Sequence, residues 1–176
     1  MIVGAPRSGT TSLYHYLKQH PQIAFPVLKE PKYFSSIHQD FPHRGPGDKN
    51  VDCFAIRDFD RYKRLFERLK DAERIGEASP DTLYCHRHTA ATIRDTLGDV
   101  DIVMILRAPS ARAFSAYSYL VRDNREQEEF RTALDLEETR IADNWDFLWA
   151  YKSVGLYSGQ VATFMEKFSR VKIVLF

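Results

Sequence analysis

The alternation of apolar and polar positions at the start of the chain predicts a strand, a glycine turn and a helix. The apolar pair Ile2-Val3 ends at Gly4, which is typical of a short buried strand. A helix is predicted over Thr10–Gln19, because its apolar side chains recur at the spacing of one helical face and Pro21 stops it.

Short apolar runs and amphipathic segments continue to alternate along the rest of the chain. The predicted helices cover Phe59–Lys70, Thr89–Leu97, Ser110–Arg122, Phe130–Ala142 and Tyr157–Phe168, and the predicted strands cover Arg74–Ala78, Asp101–Leu106 and Val171–Phe176. Three local signals support these bounds: Asp58 as an N-cap, Gly98 as a helix stop and Pro109 in a first turn.

Strands that alternate with helices predict an α/β fold, here one domain over residues 1–176 with three α/β/α layers and a central parallel sheet. Ligands of such folds bind beyond the carboxyl ends of the strands. The last two strands, Asp101–Leu106 and Val171–Phe176, are expected to be buried on both faces. Because a buried strand rarely ends a domain, further C-terminal sequence is expected. The segment FPHRGPGDKN at 41–50 is predicted to be an exposed loop, a candidate lid.

Composition and charge narrow the classes of partner. The chain has 176 residues, of which 44% are hydrophobic, and a formal net charge of +1, so no overall field favours nucleic acid or an anionic membrane. No apolar run approaches the roughly 20 residues that span a bilayer.

Cys53 and Cys85 are too few for a disulfide framework. With no room for a signal peptide, they favour two free thiols in the cytoplasm. His86 and His88 lack further ligands, so no metal is expected.

The segment GAPRSGTT at 4–11 is the first candidate site. Gly4 and Gly9 let the backbone turn tightly around an anion, and the following helix offers free N–H groups. The fold is therefore expected to be like that of P-loop nucleotide hydrolases, but Thr10 stands where the Walker lysine would be. Arg7 is the obvious source of positive charge, and a plain glycine turn that only begins a helix is the alternative.

Two further segments carry candidate chemistry. Arg107 leaves the end of a predicted strand, and Arg112, Ser115 and Tyr119 are spaced to share one face of the next helix, an arrangement suited to a second phosphate or simply to solvated charge. Tyr117 and Tyr119 each fit either a core position or a contact with the acceptor. In the segment KEPKYF at 29–34, Glu30 lies between two lysines, for which a solvated charge cluster is the first interpretation.

Together these segments resemble the sulfotransferases that use 3′-phosphoadenosine 5′-phosphosulfate (PAPS), in particular the branch of heparan sulfate sulfotransferases and related bacterial enzymes. The segments at 76–81 and 155–160 are similar too, so the resemblance covers nearly the whole chain. It implies a 5′-phosphosulfate loop in which Arg7 stands where many members carry lysine. The donor-binding residues that it implies are Arg7, Ser8, Gly9, Thr10, Thr11, Ser12, Arg107 and Ser115.

The resemblance also implies the chemistry. Arg107 and Ser115 would hold the 3′-phosphate, Glu30 would act as the base, and Arg7 and Lys29 would assist transfer. The expected reaction moves a sulfuryl group in line from PAPS, without a metal, to a hydroxyl or amine of a glycan, a lipid or a small metabolite. Oligomeric state stays open.

Two alternatives remain at this stage. One is a P-loop kinase of nucleotides or small molecules, which Thr10 disfavours. The other is a module that binds 3′,5′-diphosphoadenosine without catalysis, because family members continue past a strand like Val171–Phe176 into a glycine- and lysine-containing loop that closes over the nucleotide.

Overall fold

The computed structural model describes all 176 residues and has a parallel sheet flanked by helices. Three strands form its larger part: β1 (Ile2–Gly4), β4 (Ile102–Leu106) and β5 (Val171–Leu175) pair in parallel in the order β1-β4-β5. Two short strands, β2 (Ile23–Ala24) and β3 (Arg74–Ile75), pair with each other, also in parallel.

The chain beyond β3 joins the two sets of strands into one sheet. The Ile2 amide donates to the Glu77 carbonyl at 2.8 Å, and the Ser79 amide donates to the Ile2 carbonyl at 3.2 Å. The sheet therefore runs β2-β3-β1-β4-β5. Because every pair is parallel, all the carboxyl ends of the strands lie along one edge.

Helices cover both faces of the sheet. They are α1 (Thr10–Lys18), α2 (Tyr33–Ser36), α3 (Asp48–Asp52), α4 (Phe59–Arg64), α5 (Asp81–Tyr84), α6 (His86–Leu97), α7 (Pro109–Arg122), α8 (Phe130–Asp135), α9 (Glu137–Ala142) and α10 (Tyr157–Lys167). Val3 packs into the large core with residues of α5, α6 and α10, whereas its neighbour Ile2 packs with α1 on the other face. This arrangement confirms the predicted three-layer α/β/α architecture.

Local sequence signals gave several bounds correctly. The Asp58 carboxylate accepts the Arg61 amide at 2.7 Å as the N-cap of α4, and Gly98 ends α6 with a φ of 78°. Pro109 lies in the first turn of α7, and the central strand β4 is largely buried. No helix combines the length and the apolar character needed to cross a bilayer.

The last strand, β5, pairs only with β4, and Ile173 and Val174 are each 42% exposed, so no part of this chain covers its outer side. Other expectations were wrong. The predicted helix 59–70 ends as α4 at Arg64 and tightens into 3₁₀ turns, and the predicted helix 130–142 divides at Leu136. Segment 41–50, predicted to be an exposed loop, is partly buried, with His43, Gly45 and Asp48 inside.

The buried carboxylate of Asp48 anchors this segment to the rest of the protein. Asp48 is fully buried and accepts the Gly45 amide at 2.8 Å, the Asp146 amide at 2.9 Å and the Trp149 indole N–H at 3.0 Å. Arg125, just past α7, also pairs with Asp48. The segment is thus fixed to the second half of the chain.

Candidate active site

The loop between β1 and α1 presents several unsatisfied donors. Ser8 is fully buried, and neither its Oγ nor the buried Nε of Arg7 has a hydrogen-bond partner. No side chain caps α1, whose first turn contains the buried Thr10 and the exposed Thr11 and Ser12. Buried polar groups without partners are costly, so this loop has the character of an anion-binding site in its free form.

Gly9 allows the close packing of this loop. Its φ is 94°, and a Cβ at this position would lie 3.1 Å from the Phe176 ring. The same ring centroid lies 5.4 Å from the Arg107 guanidinium. A side chain at position 9 would therefore meet both backbone strain and a steric clash.

Arg107 brings the second predicted element to the loop. It follows β4, the strand next to β1, and one of its guanidinium nitrogens lies 3.5 Å from the Arg7 carbonyl oxygen. Ser115 is half-buried on α7, and Tyr119, one turn later on the same face, lies under the Arg7 guanidinium at 4.5 Å. Arg7, Arg107 and the Ser115 face of α7 thus meet at the carboxyl ends of adjacent strands.

Arg112 does not share this role, although it lies on the same helix. It is fully buried and donates to the Tyr151 carbonyl at 2.6 Å, so it ties α7 to the following loops. Burial lowers the pKa of its guanidinium. Its buried Nε and one terminal nitrogen have no partner.

The segment at 29–34 is half-buried rather than a solvated cluster. Glu30 and Lys32 both have left-handed backbones, with φ of 60° and 55°. The Glu30 amide donates to the Ala78 carbonyl and the Lys32 amide to the Ser79 Oγ, each at 3.0 Å. Lys29 forms an ion pair with the Glu30 carboxylate. The backbone contacts hold Glu30 in a strained but defined position.

A group of buried acids lies beneath this segment. Burial disfavours the Lys32 ammonium, but the charges of Asp81 and Asp146 outweigh this and raise its pKa. Asp81 and Asp146 are almost fully buried, and burial raises the pKa of each carboxyl. No sequence pattern predicts this group, because Lys32, Asp81 and Asp146 lie far apart in the chain.

Glu77 is a further buried acid that no sequence pattern predicts. It is 5% exposed, and burial raises its pKa to about 7. The Ser79 hydroxyl donates to it at 2.5 Å, and the same Ser79 Oγ accepts the Lys32 amide. From the sequence, the segment at 76–81 has only its similarity to the family. In the structure, Glu77 and Ser79 of this segment support the backbone of Lys32.

A cleft of about 700 Å³ opens beside Glu30. Its walls include Lys29, Lys32, Tyr119 and Arg125, so it joins the segment at 29–34 to the end of α7. A larger hollow of about 860 Å³ lies around Met1 and Arg170, and none of the predicted site residues lines it. The cleft at Glu30 is therefore the candidate acceptor site.

No group of three or more His, Cys, Asp or Glu side chains is arranged to hold a metal ion. His86 and His88 begin α6, and the His88 ring stacks with that of His38 at 5.2 Å between centroids.

Comparisons with known proteins agree on one family. The model described as "Sulfotransferase family" matches residues 1–161. The membrane-associated sulfotransferase kil1 of Dictyostelium discoideum is 31% identical over 123 residues, which are 69% of this chain and 23% of that protein. Carbohydrate sulfotransferase 15 of Mus musculus is 23% identical and is matched over 99% of this chain and 39% of its own length.

A third relative is heparan sulfate glucosamine 3-O-sulfotransferase 3B1 of Homo sapiens, 23% identical over 96% of this chain and 38% of its own length. The chain thus spans less than two fifths of the length of these curated relatives. The crystal structure of a sulfotransferase from Alicyclobacillus acidocaldarius superposes with a TM-score of 0.95 at 44% identity, covering 99% of this chain and 71% of that one.

Proposed function

Because the chain belongs to the sulfotransferase family, we propose that it transfers a sulfuryl group from PAPS to a hydroxyl or amine of an acceptor. Family membership favours this activity over the transfer of a phosphoryl group by a kinase.

The observation that carries the proposal is the contact between the ends of two adjacent strands. Arg107 at the end of β4 lies 3.5 Å from the carbonyl of Arg7 in the loop after β1. Two cationic sites so close together suit one ligand with a phosphate at each end, and PAPS carries a 3′-phosphate and a 5′-phosphosulfate.

The residues present fit this donor. Arg7 Nε and Ser8 Oγ are buried donors that lack partners, and the first-turn amides of α1 have no side-chain cap, so the loop suits the 5′ end. Arg107 with the nearby Ser115 suits the 3′-phosphate. The donor supplies the sulfuryl group, and Arg7 stabilises the charge that develops on the 5′-phosphate oxygen.

Glu30 acts on the acceptor side. In the transfer, the bond from sulfur to the 5′-phosphate oxygen breaks, a bond from sulfur to the acceptor oxygen or nitrogen forms, and the acceptor proton goes to Glu30. Lys29, paired with Glu30, lines the same cleft. The names of two relatives, a carbohydrate and a heparan sulfate sulfotransferase, favour a glycan among the acceptor classes.

Calorimetry and a transfer assay test the function together. We expect 3′,5′-diphosphoadenosine (PAP) to bind more than tenfold tighter than ADP or ATP, because only PAP reaches both cationic sites. Radiolabelled sulfate should then pass from PAPS to at least one member of a panel of desulfated heparan and chondroitin oligosaccharides, amino sugars and phenols. Tighter binding of ATP, with no sulfate transfer, would favour the kinase instead.

Replacement of Arg107 tests the 3′-phosphate site. We expect Arg107→Ala to weaken PAP binding by about 10- to 100-fold, the equivalent of one hydrogen-bonded charge, while AMP, which lacks the 3′-phosphate, binds as before. Ser115→Ala should follow the same pattern to a smaller extent. Arg87→Ala, an exposed arginine on α6, is the control. Equal losses for PAP and AMP would contradict the assignment.

A further inference from the structure

The side chain of Arg7 has an unusual environment for a loop arginine. It forms no ion pair and no side-chain hydrogen bond, and its buried Nε has no partner. Its backbone is left-handed, with a φ of 66°. What the guanidinium does contact is an aromatic ring, because it lies 4.5 Å from the ring centroid of Tyr119.

The Tyr119 ring is itself well fixed. It lies on α7, which is anchored in the core through the neighbouring Ala116 and Leu120, both at 0% exposure. A second guanidinium, from Arg122, lies 4.8 Å from the same ring centroid and pairs with the Asp123 carboxylate at 3.1 Å. A ring held by a 14-residue helix is a more rigid support than a loop side chain.

The position of Tyr119 relates the two halves of the candidate site. Its ring contacts the loop residue Arg7, and the same side chain lines the cleft that contains Glu30. No other residue that lines this cleft contacts the Arg7 side chain through a ring. Tyr119 therefore borders both the proposed donor site and the proposed acceptor site.

We infer that Tyr119 is a positioning residue, whose ring holds the Arg7 guanidinium towards the 5′ end of the bound nucleotide. The inference rests on the proposed function. An arginine side chain loses considerable rotamer freedom when a ligand orders it. The cation–π contact already orders the Arg7 side chain in the free protein. The loss of rotamer entropy therefore occurs on folding and does not weaken ligand binding.

A double-mutant cycle on PAP affinity tests whether Tyr119 acts through Arg7. We expect Tyr119→Leu to weaken PAP binding about tenfold, within the range of one cation–π contact, and Tyr119→Phe, which keeps the ring, to bind within twofold of the wild type. In the Arg7→Met background, Tyr119→Leu should have no further effect. Arg122→Met, which removes the other guanidinium from the ring, is the matched control and should bind PAP normally.

The outcomes separate a positioning role from a structural one. If Tyr119→Leu leaves PAP affinity unchanged, or weakens it equally with and without Arg7, the inference is overturned. A loss in Tyr119→Phe as large as in Tyr119→Leu also overturns it, because the hydroxyl and not the ring would then be responsible.

Release of sulfate from PAPS into water separates this inference from the proposed function. In that reaction the sulfur–oxygen bond to the 5′-phosphate breaks, the water oxygen bonds to sulfur, and the two protons of that water go to the leaving 5′-phosphate and to solvent, which yields PAP and sulfate. Coupling between Tyr119 and Arg7 in PAP binding, with no sulfate release or transfer by the wild type, contradicts the proposed function and supports the positioning. A wild type that does not bind PAP contradicts both.

Discussion

Glu30→Gln is expected to lower the rate of sulfate transfer by about 10²- to 10⁴-fold, the usual contribution of a positioned base, without changing the affinity for PAP. The amide has nearly the shape of the carboxylate but cannot accept the acceptor proton at neutral pH. The backbone of Glu30 is held by the Ala78 carbonyl, and its side chain lines the cleft beside Tyr119. The loss should therefore appear in turnover rather than in donor binding.

The measurement is the transfer rate at saturating PAPS, with calorimetry of PAP on the same protein. Glu67→Gln, an exposed glutamate after α4, is the matched control and should transfer at the wild-type rate. Unchanged turnover in Glu30→Gln would remove Glu30 from the role of base. A parallel loss of PAP affinity would instead assign Glu30 to the donor site or to local structure.

Asp48→Ala is expected to lower the free energy of unfolding by about 3–5 kcal/mol, the usual cost of removing one partner from a buried ion pair. The substitution removes the carboxylate partner of Arg125, which keeps only its hydrogen bond to the Pro46 carbonyl, and leaves the Trp149 indole N–H and two backbone amides without their acceptor. Urea denaturation measures the change, and Asp48→Asn, which keeps an acceptor oxygen, should lose less.

Asp60→Ala provides the control for that experiment. Its carboxylate lies on α4 with 70% of the side chain exposed and pairs only with Lys63. Substitution there should change the free energy of unfolding by less than about 0.5 kcal/mol. An Asp48→Ala protein as stable as the Asp60→Ala protein would show that segment 41–50 is held by other contacts.

The features that the sequence predicted well are those with local causes. Asp58, Gly98 and Pro109 each act within one turn of their own helix, and each was found where the pattern predicted it. The apolar run of β4 was also correctly placed inside the sheet, between two neighbouring strands, because burial on both faces leaves a continuous apolar signal.

The features that were missed depend on contacts between distant parts of the chain. The run Val171–Phe176 is apolar apart from Lys172, yet in this chain β5 pairs only with β4 and is largely exposed, and the sequence of one strand does not identify its neighbours. Asp48 and Trp149 are 101 residues apart. A Pro- and Gly-rich composition at 41–50 predicted a loop, but the buried carboxylate that anchors it leaves no periodic signal.

The sequence predicts the individual residues of the candidate site, but it does not predict the contacts that hold them together. The α/β pattern predicts Arg7 and Arg107 at strand ends and Ser115 on the next helix, and the structure brings Arg7 and Arg107 together, with their roles remaining predictions. Glu30 was identified by resemblance alone. Its supporting contacts with Ala78 and those of Lys32 with Ser79 involve left-handed backbones that residue type does not predict.

The parallel pairing of β1 with β4 also determines how long a ligand these two strand ends accommodate. Adjacent strands lie about 4.8 Å apart wherever their backbones are hydrogen-bonded, and the glycine turn and Arg107 each follow directly from one of the two. The hydrogen-bonded backbones of β1 and β4 thus set the distance between the glycine turn and Arg107. If the proposed donor binds there, substitution of a side chain at either strand end should change the affinity, whereas the spacing between the two ends, and so the length of ligand that fits, should stay the same as long as the sheet is intact.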